Sequence, residues 1–310
     1  MERVVHNGLK IDLHIHSIKS KFKDKDVVNQ SKIENIDLLV SKLNIFKVNI
    51  CSIVDHDSFD YKLYKRLKEE EGKGSIVKVL PAVEFTVHFD NPENKVHIVT
   101  IFNDLEDEKV KKIESKIPFD INANKPNYKN GSSFSENEYI EILNSVDLDV
   151  ICIAHQKNTL TSKSNPKEND ANSVGDEKFN ELLFSEYFEA FEFKNRKNQV
   201  FNNYSKSKLE GDILRFITGS DCHEWQFYPK HSAKSNDDDF RHTFVKCLPS
   251  FRGLALALTD DTRINLDDNF FNTSNFYLKE INIELNGKKI SVPLSRGINA
   301  IIGDNSIGKS

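Results

Sequence analysis

Five residues near the start of the chain, Asp12-Leu13-His14-Ile15-His16, combine two imidazoles and a carboxylate at alternating positions. Side chains at i, i+2 and i+4 of a strand share a face. The spacing therefore predicts that Asp12, His14 and His16 point one way while Leu13 and Ile15 pack behind them. Two converging imidazoles with a carboxylate to orient them make half of a metal site. Further residues of the same chemistry follow. Asp55-His56-Asp57 succeeds the apolar run 48–54, and His97 is embedded in Val96-His97-Ile98-Val99. His155 ends the run Ile-Cys-Ile-Ala-His, and Asp221-Cys222-His223 follows Phe-Ile-Thr-Gly-Ser. Glu84 stands inside Ala82-Val83-Glu84-Phe85, where an unpaired buried carboxylate is costly. Six of the ten histidines sit in or at the end of expected strands. Mixed imidazole and carboxylate ligands without thiolates suit Zn, Mn or Fe. Neighbouring metals bridged by a carboxylate activate water and neutralise a phosphoryl transition state. Cys222 lies between two of these residues, and alternation turns it away from them.

These residues need a scaffold that gathers strand ends. Strands are expected over 9–15, 48–54, 76–87 (with a break at Pro81), 96–102, 149–154, 188–193 and 214–219. Helices are expected over 32–46, 59–71, 105–116, 136–146, 177–186, 197–210 and 250–259. In the first of these, Ile33, Ile36, Leu39, Val40 and Leu43 recur at helical spacing. β-branched runs between helices indicate βα units and a parallel sheet or barrel, whose C-terminal strand ends converge on one face. Residues 117–135 and 157–177 are polar and rich in turn formers, so they read as excursions.

Composition bounds the class. With 310 residues, the chain is long enough for a full core. It carries 38% apolar and 29% charged residues and a net charge of -5, which gives no global case for nucleic-acid binding. The lysine-rich stretches 19–25 and 62–68 read first as solvated faces. The four cysteines, Cys51, Cys152, Cys222 and Cys247, form no CxxC pair and read as reduced thiols. No apolar run suits a membrane span, and residues 1–10 lack a signal-peptide core. A cytoplasmic protein without a membrane partner is expected.

The ordered set DLHIHS, VDHDSF, AVEFTV, VHIV, AHQ and GSDCHE resembles the polymerase-and-histidinol-phosphatase (PHP) family over residues 9 to about 265. The resemblance implies an α/β fold, a distorted (β/α)7 barrel with two or three divalent metals at the strand ends. It implies that His14, His16, Glu84 and Asp221 hold a first metal. Glu84 would bridge to a second held by His97 and His155, and His56 and His223 would hold a third. Asp12 and Asp55 would orient ligands, with Asp55 at the catalytic centre. Glu192, in FEFKN, matches a frequent acidic position. The family's usual acidic or histidine residue seven or eight places after His14 is replaced by Lys21 or Phe22, with Asp24 or Asp26 as substitutes.

Composition changes near residue 270. Residues 276–285 alternate, Asn286-Gly287 offers a hairpin turn, and 289–294 pairs back. After the run 298–302, residues 303–310 read GDNSIGKS, which fits GxxxxGK[ST]. There Gly303 and Gly308 would permit a phosphate cradle, Lys309 would reach the β/γ-phosphates and Ser310 would bind Mg²⁺. The run from 276 resembles the opening of ATPase heads of the SMC and ABC type. Two domains are expected: a metal-dependent phosphoesterase over 1–268, and over 269–310 the first strands and P-loop of a truncated ATPase head. Residues 242–259 are expected to link them. The chain would then be the N-terminal part of a longer protein that binds ATP and Mg²⁺ and self-associates; as given, it should not hydrolyse ATP. Such fusions resemble single-chain bacterial antiphage defence factors. The expected function is metal-dependent phosphodiester hydrolysis, as a nuclease acting on nucleic acid under ATPase control. The alternatives are a small-molecule phosphomonoesterase of histidinol-phosphatase type and a non-catalytic metal-binding sensor.

Overall fold

The computed structural model describes residues 8–89, 95–120, 122–155, 188–193, 215–235, 240–267, 271, 278–294 and 299–300. The expected helices 177–186 and 197–210, the loop 157–177 and the P-loop residues Gly303, Gly308, Lys309 and Ser310 lie outside them.

Seven strands form a nearly closed ring. They are β1 (Leu9–Ile15), β2 (Ile50–His56), β3 (Ala82–His88), β4 (Lys95–Phe102), β5 (Val150–His155), β6 (Ala190–Phe193) and β7 (Phe216–Thr218). Two more, β8 (Thr243–Val245) and β9 (Ile264–Asn265), extend the order to β7-β6-β5-β4-β3-β2-β1-β8-β9. The ring closes above β7, where Ile15 bridges Cys222 in parallel and the His16 N–H donates to the Cys222 carbonyl at 2.8 Å. Lower down, β1 pairs instead with β8, antiparallel. Residues 242–259 are therefore not a free linker: they supply β8 and a helix to the barrel's own core.

The sheet is not all parallel. β4 runs antiparallel to both β3 and β5. Only six residues connect β3 to β4, too few for the crossover of a dozen or more that a parallel return needs.

Five helices follow the sequence pattern: α1 (Ile36–Ile45), α2 (Tyr61–Lys68), α3 (Asp107–Lys116), α4 (Glu136–Val146) and α5 (Phe251–Leu258). α4 begins in a capping box, with Ser135 and Glu138 each bonding the other's backbone. α1 to α4 lay Leu39, Leu63, Leu67, Ile113 and Ile142 against one apolar cluster, on the outer face of the sheet. Every ring strand contributes to a second cluster, the barrel interior, including Leu13, Val54, Ala82, Val99, Ile153, Ala190 and Ile217. α5 joins this interior through Leu254 and Leu258. Its Gly253 is required because a Cβ there would run into the Leu248 carbonyl.

Leu39 is fully buried, whereas its neighbour Leu38 is 38% exposed. Leu39→Ala is expected to cost about 2–5 kcal/mol, cavity included, and Leu38→Ala within about 0.5 kcal/mol. Urea denaturation of both variants checks this, and equal losses would show that α1 does not pack as described.

A separate hairpin, β10 (Glu280–Leu285) and β11 (Lys288–Pro293), turns at Asn286-Gly287 with both φ values positive (53° and 76°). That is the two-residue turn the sequence pattern demands.

Candidate metal centre

The imidazoles and carboxylates singled out in the sequence meet at one end of the ring. His16 lies just past β1, His56 ends β2, Glu84 lies within β3, His155 ends β5, Glu192 lies within β6, and Asp221 and His223 follow β7. His97 stands near the start of β4, yet reaches the same end because that strand is reversed. Register places His56 beside Glu84, and His155 beside Glu192.

Alternation along β1 does not hold as expected. Leu13 enters the barrel interior, while Ile15 joins the outer cluster. The register with β2 shifts between Asp12 and Ile15, and such an irregularity re-aims side chains. Asp12 consequently does not contact the rings of His14 and His16. Its Oδ1 accepts from the backbone N–H of Ser220 (3.1 Å) and His14 (3.3 Å), and its Oδ2 from the Tyr228 hydroxyl at 2.6 Å. Burial pushes its carboxyl up to about 6, although these donors favour the charged form.

Glu84 is the hub. It is 1% exposed. Its Oε2 lies 2.8 Å from His56 Nδ1 and 3.4 Å from the Nε2 atoms of both His14 and His16. Its Oε1 lies 2.6 Å from His97 Nδ1. Burial opposes the charge, but His56, His97 and His14 outweigh it and hold the carboxyl well below its usual range.

Hydrogen bonds behind the rings set their tautomers. His14 Nδ1 lies 2.8 Å from Glu192 Oε1, so its proton goes there. His16 Nδ1 lies 3.0 Å from Ser20 Oγ, whose own proton goes to Asp55 at 2.8 Å. Both Nε2 lone pairs therefore converge, 3.0 Å apart, on space that Glu84 Oε2 also faces. Asp221 Oδ1 stands 3.3 Å from His16 Nε2 and 3.8 Å from His14 Nε2. Asp221 takes a left-handed backbone (φ 49°), a strain found where geometry is imposed for function. Gly219 packs so closely that a Cβ would meet the Glu192 carboxylate and lie 2.7 Å from His14 Cβ. Any side chain there would push Glu192 off His14.

The donor atoms fall into overlapping groups compact enough for single ions. These are His14, His16 and Asp221; His14, Glu84 and His155; His56, Glu84 and His97; His16, Asp24, His56 and His223; and Asp221, His223 and His231. In these groups His97 stands with His56 and Glu84, and His155 with His14 and Glu84, while the rings of His97 and His155 lie 6.1 Å apart. Asp24, rather than Asp26, reaches the cluster. It lies 3.1 Å from His223 Nε2 and 3.4 Å from His56 Nε2, while Asp26 bonds Asn29. Asp55 lies one step back and holds Ser17 and Ser20 in place.

Burial opposes protonation of these rings, and neighbours decide the outcome. Glu192 and Glu84 hold His14 well above the ordinary imidazole value, and Glu84 raises His56 to about 9. His16 falls well below that value through burial and the charges of His223 and His56. Burial lowers His97 to about 3.

One member of the cluster escaped sequence reasoning. His231, beyond the loop after β7, donates from Nδ1 to the Asp221 carbonyl at 2.8 Å and lies 3.3 Å from Asp221 Oδ2. It sits on no strand, so no periodicity marks it.

The donor set fits divalent ions. Imidazole and carboxylate atoms converge with lone pairs inward, and Glu84 Oε2, His56 Nδ1 and Asp24 Oδ2 are buried without a well-aligned hydrogen bond. Native interiors satisfy nearly all such atoms, and ions shared among these groups would do so here. All four cysteines are buried, and none of them forms a disulfide. Among the described residues no helix is long and apolar enough to cross a membrane.

No family model matches the chain, and no curated protein matches it. Among solved structures it is similar to the lesion-specific endonuclease PfuEndoQ from Pyrococcus furiosus, with 17% identity and a TM-score of 0.48 over 81% of this chain. The chain spans 56% of that endonuclease. It is similar also to a Bifidobacterium adolescentis protein described as a metal-dependent phosphoesterase, with 12% identity and a TM-score of 0.47, covering 81% of this chain and 96% of that one. PsfC from Pseudomonas syringae gives 13% identity and a TM-score of 0.43, covering 85% and 93% respectively.

Proposed function

We propose that the chain is a PHP-type hydrolase that cleaves phosphodiesters with the help of two or three divalent ions. The observation that carries this reading is Glu84, a buried carboxylate within 3.4 Å of imidazole nitrogens from four histidines. Divalent ions in such a cluster polarise a phosphoryl oxygen and lower the pKa of water. His14, His16 and Asp221 would hold one ion, His56, His223 and Asp24 another, and Glu84 would tie the groups together. Glu192 fixes the His14 ring, and Asp55 fixes His16 through Ser20. This outer ring of hydrogen bonds fixes the ring orientations and aims the inward nitrogens.

A second feature favours a nucleic-acid strand over a small phosphomonoester. An open groove of about 940 Å³ has Ser58 in its lining. Lys19, Lys62, Lys111 and Lys112 line it together with Tyr61 and Phe119, and Glu108 and Glu114 offset part of that charge, Lys19 being paired with Glu114 at 3.3 Å. Lysines that track a backbone and aromatics that stack bases are the usual means of holding single strands. Most of the basic side chains of α2 itself are already paired, Lys65 with Asp107 and Arg66 with Asp37 and Glu70.

We extend the proposal to ATPase control, self-association and a cytoplasmic antiphage role for a longer protein. The support is the sequence GDNSIGKS at 303–310.

Bis-p-nitrophenyl phosphate and labelled single- and double-stranded DNA are the test substrates. Turnover is expected with Mn²⁺ or Zn²⁺ and is expected to vanish in EDTA. Bound metal without turnover on any of them, with and without ATP in the longer protein, would favour a sensor and sink the hydrolase reading.

A further inference from the structure

Lys23 and Asp24 are adjacent on a single short helical turn, Lys21–Asp24, and both side chains enter the cluster. Asp24 adds a carboxylate, whereas Lys23 adds a cation. The Lys23 ammonium lies 2.5 Å from His97 Nε2. The other ring nitrogen of His97, Nδ1, is engaged 2.6 Å away by Glu84 Oε1. A neutral imidazole has one N–H and one lone pair. With Nδ1–H donating to Glu84 and Nε2 accepting from Lys23, His97 has no lone pair left to offer a metal. The lysine charge also bears on His56 and Asp57 at the same corner.

We propose that Lys23 is a resident cation of the cluster. It closes the His56–Glu84–His97 corner to a divalent ion and leaves the metals to the corners built on His14, His16, Asp221 and Asp24. The physical reason is like-charge repulsion. The ammonium stands on the ring nitrogen of His97 opposite to Glu84, and a dication arriving within a few ångströms of it meets like charge in a medium that screens poorly. Lys23 thereby sets how many ions the chain holds.

This inference rests on the cluster being a metal centre, so its test reads metal content rather than activity. Lys23→Met keeps the apolar stem and removes the charge, and Lys23→Gln serves the same purpose should the methionine variant not fold. Parent and variant are dialysed against Mn²⁺ or Zn²⁺, the bound ion is counted by mass spectrometry, and the apo proteins are titrated by calorimetry. The variant is expected to hold one more equivalent than the parent, or to bind its weakest equivalent at least about tenfold tighter. Lys23→Arg, which keeps the charge, is expected to retain the parent stoichiometry. Equal stoichiometry and affinity in parent and Lys23→Met, or weaker binding in the variant, overturns the role of Lys23. Failure of every protein to bind either ion overturns the metal centre as well.

Discussion

Glu84→Gln is expected to reduce metal-dependent phosphodiester hydrolysis by about a thousandfold or more, with loss of bound metal, while the barrel stays folded. Glutamine has nearly the same shape but no charge, and one of its two ends is a donor. At the hub, Glu84 Oε2 faces nitrogens of His14, His16 and His56, and Oε1 faces His97. An amide there offers half the acceptor capacity and none of the Coulomb attraction for a dication. The fold should survive because Glu84 contributes no apolar packing, and its neighbours Val83 and Phe85 hold β3 in the outer cluster. Metal analysis, circular dichroism and turnover on one preparation read all three expectations. A Glu84→Gln protein with parental turnover would remove the carboxylate from the mechanism.

Asp24→Asn is expected to cost one equivalent of metal and at least about 10- to 100-fold in turnover, the loss that changes just outside a metal's ligands already cause. The carboxylate stands between the Nε2 atoms of His56 and His223 at 3.4 and 3.1 Å, with its side chain 14% exposed. It is held well below the usual carboxylate range: burial works against the charge, but His223 and His56 dominate. Asp26, two residues on, is exposed and bonds Asn29. Asp26→Asn therefore serves as the matched control and should behave as the parent. If the two variants lose metal equally, the 21–26 segment takes another path than the one described.

Much of this site was readable from residue order. The expected strands start and stop within about two residues of those observed over 9–15, 96–102 and 149–154, because β-branched runs bounded by turn formers determine them locally. Eight histidine and carboxylate residues expected at strand ends do gather there: His14, His16, His56, Glu84, His97, His155, Asp221 and His223. Glu192, an acidic position without an assigned role, turns out to hold the His14 and His155 rings from behind. The short stretch between residues 88 and 95, with its Asp, Asn and Pro, was also a legible signal that β4 must double back, since no parallel crossover fits it. Taking the strands as uniformly parallel passed over that signal.

What the sequence determined by itself was the chemistry and its local frame. It determined which side chains can ligate, that they stand at the ends of apolar strands, and that turns separate those strands from amphipathic helices. These properties depend on spacings of a few residues, and the periods of strand and helix fix them. The tertiary structure decided the grouping. It put His97 with His56 by reversing β4, and His155 with His14 by pairing β5 to β6. It turned Asp12 onto backbone through an irregularity in β1, and it folded the 21–24 turn so that Asp24 and Lys23 entered the cluster together. Residues 242–259 became part of the barrel because β8 found the free lower edge of β1 and α5 had an interior to fill. Each of these choices depends on which distant strand or loop offers the complementary surface, and no local period encodes that.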